Sequence, residues 1–282
     1  MKEKIKLVIP KGRIYEKVKK LLVDAGMDIS ENGRSYRPII SNSEIEIKLL
    51  KPRNIPKLVE LGQHDIGFTG YDWIYEQNVD VEEILDIGFD PVKIVVAVPK
   101  ENKIDSKSKI IVASEYKRIS EEFLDKEGKD YTFIRTYGAT EVFPPEDADM
   151  IIDNVSTGST LKENNLVIYK EIMKSSTRLI ANNESMKNPW KKKKIEELKI
   201  ILKSILIARK KVMIEMNVEG DKLEEVIKIL PCMKSPTVNK LYTGGYAVKS
   251  VVPREEIAKI ISMLKIAGAT DILEYDINKV IL

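Results

Sequence analysis

Cysteine and histidine are nearly absent: Cys232 is the single thiol and His64 the single imidazole in 282 residues. One cysteine excludes an intrachain disulfide and a cysteine-built zinc site, and a histidine so distant in sequence leaves Cys232 as an expected packed thiol. A catalytic transition-metal centre is not expected from so few soft ligands. No apolar run approaches the roughly 18 residues of a membrane-spanning helix. The start, Met1-Lys2-Glu3-Lys4, leads straight into the strand-like Ile5-Lys6-Leu7-Val8-Ile9 without the apolar segment of a secretion signal. The expected location is therefore cytoplasmic, with no membrane partner. Net charge is small as well, with 47 basic against 44 acidic side chains giving +3, so whole-molecule electrostatics do not point to nucleic acid. Any anion has to be held locally. Two nucleotide signatures are also missing: no G-x-G-x-x-G follows a strand, and no G-x-x-x-x-G-K-[ST] occurs. Glutamine appears only at Gln63 and Gln77 against plentiful Lys, Glu and Ile, a balance that suits a thermophile.

What is present centres on Ala148-Asp149-Met150-Ile151-Ile152-Asp153-Asn154-Val155-Ser156-Thr157-Gly158-Ser159-Thr160-Leu161. Met150–Ile152 reads as a buried strand, and within a few residues the composition turns to hydroxyl residues and glycine before a helix-compatible Leu161-Lys162-Glu163. Such a loop offers backbone N–H groups, hydroxyls and, at Gly158, a backbone open to close approach, all of which suit a phosphate. Asp153, just before it, can accept hydrogen bonds from sugar hydroxyls. The pattern fits a ribose 5-phosphate cradle, and the same residues would equally serve a plain strand-to-helix turn in which Ser156 or Thr157 caps the helix.

Two further loops have the same character. Strand Ile5–Ile9 turns at Pro10-Lys11-Gly12-Arg13 into a helix carrying Ile14, Val18, Leu21, Leu22 and Ala25 at helical spacing, with Gly26 as its stop. Lys11 and Arg13 can meet phosphate oxygens there, or stand as two solvated cations. Glu44–Leu50 alternates as a half-buried strand. Beyond it, Asp65-Ile66-Gly67-Phe68-Thr69-Gly70-Tyr71-Asp72 reads as a strand ending in a glycine turn, where a planar ligand could approach Gly67 and Gly70 beside Tyr71 and Asp72. Val92–Pro99 is the near-continuous apolar run of a strand covered on both faces. A helix is expected from Ser114 through Leu124, and a strand over Tyr131–Tyr137, ending at Gly138-Ala139-Thr140-Glu141. Lys187–Lys194, around Pro189-Trp190, opens a long helix and reads as a solvated helix end rather than a nucleic-acid patch.

Strands alternating with helices predict an α/β protein of two lobes with a ligand cleft between them. The first lobe is expected over 1–90 and 181–210, and the second over 91–180. From Val212 the order changes to strand, helix, a short strand near Pro236–Leu241, strand, helix and a strand over Asp271–Ile281. This predicts a ferredoxin-like (ACT-like) α+β domain over 211–282, suited to regulation or oligomerisation.

The chain resembles the long form of ATP phosphoribosyltransferase. The resemblance rests on Pro10-Lys11-Gly12-Arg13, Asp65-x-Gly67-x-Thr69-Gly70-x-Asp72, Gly138-x-x-Glu141, Asp153-x-x-Ser156-Thr157-Gly158-x-Thr160-Leu161 and Met233-x-Ser235-Pro236-Thr237. It implies lobes like those of periplasmic binding proteins, and Mg²⁺-dependent transfer of the phosphoribosyl group of phosphoribosyl pyrophosphate to N1 of ATP. It further implies that Asp153, Ser156, Thr157, Gly158, Ser159 and Thr160 hold the phosphoribosyl donor. Lys11, Gly12, Arg13, Gly70, Tyr71, Asp72 and Glu141 would then meet ATP, with Lys11, Arg13 and Asp153 catalytic. Feedback inhibition by histidine is implied at Asn217, Ser235, Pro236 and Thr237, Asn217 standing where family members often carry Asp. A homo-oligomer, dimer or hexamer, is implied too. The competing expectation is a non-catalytic two-lobed small-molecule sensor, which would bind its ligand without releasing pyrophosphate.

Overall fold

The computed structural model describes residues 3–31, 35–101, 109–233 and 235–282; Met1 and Lys2, at the start read above, lie outside them. The chain forms two compact units, one over residues 1–23 and 27–196, the other over 24–26 and 197–282.

The larger unit contains two five-stranded mixed sheets. In the first, Ile5–Pro10 lies parallel to Ile45–Leu50 and to Ile66–Gly70, and Thr177–Ala181 runs antiparallel between Ile66–Gly70 and Glu82–Asp86. Ile66–Gly70 is buried throughout, and Gly67 shows why a small residue sits in it. A Cβ there would lie 2.7 Å from Ile55 Cγ2 and 2.8 Å from Val8 Cγ1. Gly67 therefore serves close packing of the Ile55–Glu60 helix rather than ligand approach.

In the second sheet, Val92–Pro99 pairs antiparallel with both Leu166–Ser175 and Met150–Val155. Lys109–Ser114 lies parallel to Met150–Val155 and to Asp130–Arg135. Val92–Pro99 is central and buried over Ile94–Val98, as its apolar run predicts.

Three expectations shift. Ser114 ends a strand instead of starting a helix: its Oγ donates to the Ile152 carbonyl and accepts from the Tyr116 N–H at 2.9 Å. The helix begins at Lys117. Tyr71 and Asp72 belong to a helix, Tyr71–Gln77, rather than to a turn. The last strand spans Thr270–Asp276 and stops short of Ile281.

The chain passes between the two sheets at 87–91 and at Ser176. The passages are tied together by Thr177 N–H to Phe89 O at 2.9 Å and Ile87 N–H to Thr177 O at 2.9 Å. The two sheets also meet along the Tyr71–Gln77 helix. Glu76 accepts from the backbone N–H groups of Arg118 and Ile119 at 3.2 and 3.1 Å, capping the Lys117–Lys126 helix from across the chain. Burial raises the Glu76 pKa while those N–H groups oppose the rise. Trp73 stacks on Tyr116 with ring centroids 4.7 Å apart.

In the smaller unit, strands Lys211–Val218, Thr237–Lys240, Tyr246–Pro253 and Thr270–Asp276 form one antiparallel sheet. With helices Leu223–Ile229 and Ile257–Ile266 this is the βαββαβ order of a ferredoxin-like domain. Lys211–Val218 alternates perfectly, Val212, Ile214, Met216 and Val218 forming its core with Val226, Val248 and Leu264. Among the described residues, no helix is long and apolar enough to cross a membrane.

Candidate functional site

Met150–Val155 ends at Ser156-Thr157-Gly158, and Gly158 takes a left-handed φ of +78° before the short helix Ser159–Glu163. That backbone conformation favours glycine. Thr157 Oγ1 and Ser159 Oγ lie 3.2 Å apart, so the hydroxyls converge. Together with Arg13, Glu141, Asp153 and Asn154, the loop lines a polar cavity of about 300 Å³.

Asp153 sits at the cavity wall, with Oδ1 accepting from the Asn154 backbone N–H at 2.7 Å and from Asn154 Nδ2 at 3.1 Å. Its pKa is nonetheless pushed up to about 6. Burial is the main cause, and the negative charges of Glu141 and Glu115 add to it, against the hydrogen bonds from Asn154 and the Thr140 hydroxyl. Glu141 stands on the one-turn helix Thr140–Val142. This uncompensated negative charge fits a divalent cation. No cluster of three or more His, Cys, Asp or Glu forms a self-contained metal cage among the described residues. Asp153 and Glu141 thus offer two carboxylates, a donor set that a divalent cation could share with ligand oxygens and water.

A second cavity, of about 190 Å³, shares Arg13 and Asn154 with the first and is lined also by Lys11, Gly70, Asp72, Trp73 and Tyr116. The Lys11-Gly12-Arg13 turn leaves the end of Ile5–Pro10, with Gly12 at a φ of +96°. Lys11 Nζ donates to Tyr36 Oη at 3.1 Å and lies 4.3 Å from that ring's centroid, and this contact lowers the Tyr36 pKa. Arg13 Nε donates to Asp90 Oδ2 at 2.7 Å while its side chain stays 60% exposed. Its remaining guanidinium N–H groups have no partner among the described residues and can meet a ligand.

The structure brings Lys11, Arg13, Gly70, Glu141, Asp153 and the Ser156–Thr160 loop to one cleft. Tyr71 it sets apart, and Asp72 it keeps buried in the wall of the second cavity. Tyr71 packs with the cluster around Val8, Ile55 and Ile180, under the Arg178 guanidinium at 5.3 Å. Asp72 is buried with both oxygens engaged, Oδ1 accepting from Ser175 Oγ at 2.6 Å and Oδ2 from Tyr116 Oη at 2.8 Å. Burial raises its pKa against those bonds. Gly70 makes room for it: a Cβ there would fall on the Asp72 carboxylate.

Sequence reasoning missed Asp90, Trp73, Tyr116 and Ser175 at this cleft. It also missed a neighbouring cavity of about 430 Å³ lined by Arg53, Glu115, Arg135 and Tyr137. Trp73, Tyr116 and Ser175 stand in no glycine loop, the signal that found the rest, while Asp90 and Tyr137 lie beside Gly88 and Gly138.

In the smaller unit, Asn217 Nδ2 donates to Asp271 Oδ2 at 2.8 Å. Thr237 pairs with Lys249, which pairs with Glu215, so Thr237 and Asn217 share one face of the sheet. Ser235 and Pro236 directly precede that strand.

Comparison with known proteins also divides the chain in two, between residues 204 and 208, within the unit that starts at 197. Residues 51–204 match the family model described as ATP phosphoribosyltransferase, and residues 208–279 match the HisG C-terminal domain. An ATP phosphoribosyltransferase of Thermodesulfovibrio yellowstonii is 40% identical over 291 aligned residues, covering 100% of both chains. One of Pelotomaculum thermopropionicum is 38% identical, covering 99% of each. Among solved structures, the ATP phosphoribosyl transferase (HisG:HisZ) complex from Thermotoga maritima matches with a TM-score of 0.63 at 29% identity, over 71% of this chain and 98% of that one.

Proposed function

The chain belongs to the ATP phosphoribosyltransferase family, and on that premise we propose how its cleft divides the work. The reaction transfers the 5-phosphoribosyl group of phosphoribosyl pyrophosphate to N1 of ATP, giving phosphoribosyl-ATP and pyrophosphate, the first step of histidine biosynthesis. The C1–oxygen bond breaks with its electron pair leaving on pyrophosphate, and the N1 lone pair forms the new C1–N bond. Such a displacement needs a phosphate cradle, neutralisation of the departing charge and in-line alignment, and no P-loop.

The observation that carries this reading is the hydroxyl-and-glycine loop beside a carboxylate whose pKa lies near 6. Ser156, Thr157, Gly158, Ser159 and Thr160 hold the 5-phosphate, and Asp153 orients the ribose hydroxyls. Lys11 and Arg13, with the Gly12 backbone, neutralise the diphosphate and triphosphate oxygens. Gly70 and Glu141 border the purine, while Tyr71 and Asp72 support that wall from behind. Asp153 and Glu141 are the residues that would hold a substrate-borne divalent cation, taken here as Mg²⁺. When bound, the cation supplies charge neutralisation on the leaving group.

For the smaller unit the proposal is feedback inhibition by histidine at Asn217, Ser235, Pro236 and Thr237, in a cytoplasmic homo-oligomer. The test mixes the protein with ATP, phosphoribosyl pyrophosphate, Mg²⁺ and pyrophosphatase and follows the adenine ultraviolet absorbance, which N1 substitution perturbs. A rise suppressed by histidine is expected. No rise overturns the assignment of the cleft, and a rise indifferent to histidine overturns that of the effector site.

A further inference from the structure

Asn154 is exposed at the end of its strand and borders both cleft cavities. An amide side chain in such a place samples several rotamers unless something holds it. Here Nδ2 is held at both its hydrogen positions, by Asp153 Oδ1 at 3.1 Å and by Tyr116 Oη at 3.1 Å. Turning the amide over would set its oxygen against the Asp153 carboxylate, acceptor against acceptor, so the orientation is fixed chemically. Tyr116 Oη accepts that N–H and passes its own proton toward Asp72 Oδ2 at 2.8 Å. Asp72 is held in turn by Ser175, whose Oγ donates to Oδ1 at 2.6 Å and accepts from the Asp72 N–H at 3.0 Å.

The bonds from the Asn154 amide have one permitted direction, because an amide N–H can only donate, and Tyr116 Oη, accepting there, turns its own proton to Asp72. The row starts at Asp153 on the second sheet and ends at Asp72 on the Tyr71–Gln77 helix, which follows a strand of the first, beside the passage at Ser176. The ring of Tyr116 is already accounted for by its stack on Trp73 and by full burial. The hydroxyl is surplus to packing.

We propose that Asp72, Tyr116 and Asn154 form a positioning relay that fixes the orientation of the Asp153 carboxylate toward the ribose. Tyr116 and Asp72 act through Asn154 and touch no reacting atom. The kinetic consequence rests on the reading of Asp153 given above; the structural consequence does not.

The experiment is a double-mutant cycle with Tyr116→Phe and Asn154→Ala in the full-length protein. Tyr116→Phe keeps the ring stack and removes only the hydroxyl. Each single variant is expected to lower kcat roughly ten- to a hundredfold, with the KM for ATP within about twofold of wild type. The double variant falls no further than the worse single one, because both cut the same row. Losses that multiply in the double variant, or a kcat within about twofold of wild type in either single one, overturn the relay.

If Tyr116→Phe fails to fold, Asn154→Ala at its exposed position carries the kinetic test alone. A second readout needs no substrate. The side-chain amide protons of Asn154 are expected to exchange slowly with solvent in the wild type and fast in Tyr116→Phe, by nitrogen-edited NMR of the ligand-free protein. Fast exchange in both overturns the relay even if turnover is normal. Absent turnover in the wild type, with slow amide exchange, counts instead against the reading of the cleft.

Discussion

Replacing Asp153 by asparagine should abolish turnover and at the same time make the ligand-free protein more stable. The side chain keeps its shape, and its oxygen still accepts from Asn154 as Oδ1 does now. What disappears is a charge held where burial, Glu141 and Glu115 oppose it, raising its pKa from 3.8 to about 6. At roughly 1.4 kcal/mol per pH unit, that difference corresponds to about 3 kcal/mol.

The sign follows from proton binding. The folded state holds its proton more tightly than the unfolded one, so wild-type stability contributed by this group is present below pH 3.8 and is lost as pH rises through about 6. The advantage of Asp153→Asn is therefore full at pH 7 and above and vanishes near pH 4. Denaturant titrations of wild type and variant at pH 4, 5, 6 and 7.5 measure it, alongside the adenine absorbance assay. Equal stability at every pH would refute the electrostatic reasoning, and retained turnover would refute the ribose assignment.

Arg13→Ala should raise the KM for phosphoribosyl pyrophosphate by about tenfold or more, the worth of a charge-assisted bond to phosphate. Its exposure keeps the stability change within about 0.5 kcal/mol; an unchanged KM would remove it from the site. Gly70→Ala drives a Cβ onto the Asp72 carboxylate and should cost about 1–3 kcal/mol by denaturant midpoint, with lowered kcat. A neutral effect would mean that Asp72 has another place to go. His64 is buried with Nδ1 lacking a partner among the described residues, and burial, then Lys48 and Lys6, lower its pKa below 6.5. The folded state thus binds fewer protons there, and stability is lost as pH falls through 6.5 and below. His64→Leu should flatten that acid-side loss between pH 7.5 and pH 5; an identical slope would place the loss elsewhere.

Much of the fold was legible because its strands carry their burial in their spacing. Lys211–Val218 alternates residue by residue and Ile94–Val98 is apolar throughout, and these patterns survive into the sheet. The Ser156–Thr160 loop was legible for a local reason too, since a strand, a left-handed glycine and a helix start lie within a dozen residues. Ser114 misled because a serine before a helix looks like its cap. Here the cap is Glu76, 42 residues earlier in the chain, and the serine hydroxyl serves a strand end instead. Gly67 was read as room for a ligand, whereas the space goes to Ile55 and Val8; Gly70 lines the cavity and also makes room for the Asp72 carboxylate. The partners of Asp72 lie 44 and 103 residues away, at Tyr116 and Ser175. Only the completed tertiary structure brings such residues together, and no pattern along the chain announces them.

The antiparallel strand Thr177–Ala181, set between Ile66–Gly70 and Glu82–Asp86, imposes an order on synthesis. As the chain leaves the ribosome, the first sheet waits with a gap between two finished strands while the whole of the second sheet is made. The second sheet needs nothing later than Ser175 and can close first. Until residue 181 emerges, the Ile66–Gly70 strand exposes an unpaired apolar edge, the kind on which nascent chains aggregate. A fragment ending just before Thr177 would keep the Ser156–Thr160 loop and the three strands around Ile5–Pro10, but leave Glu82–Asp86 with no strand to join it to them.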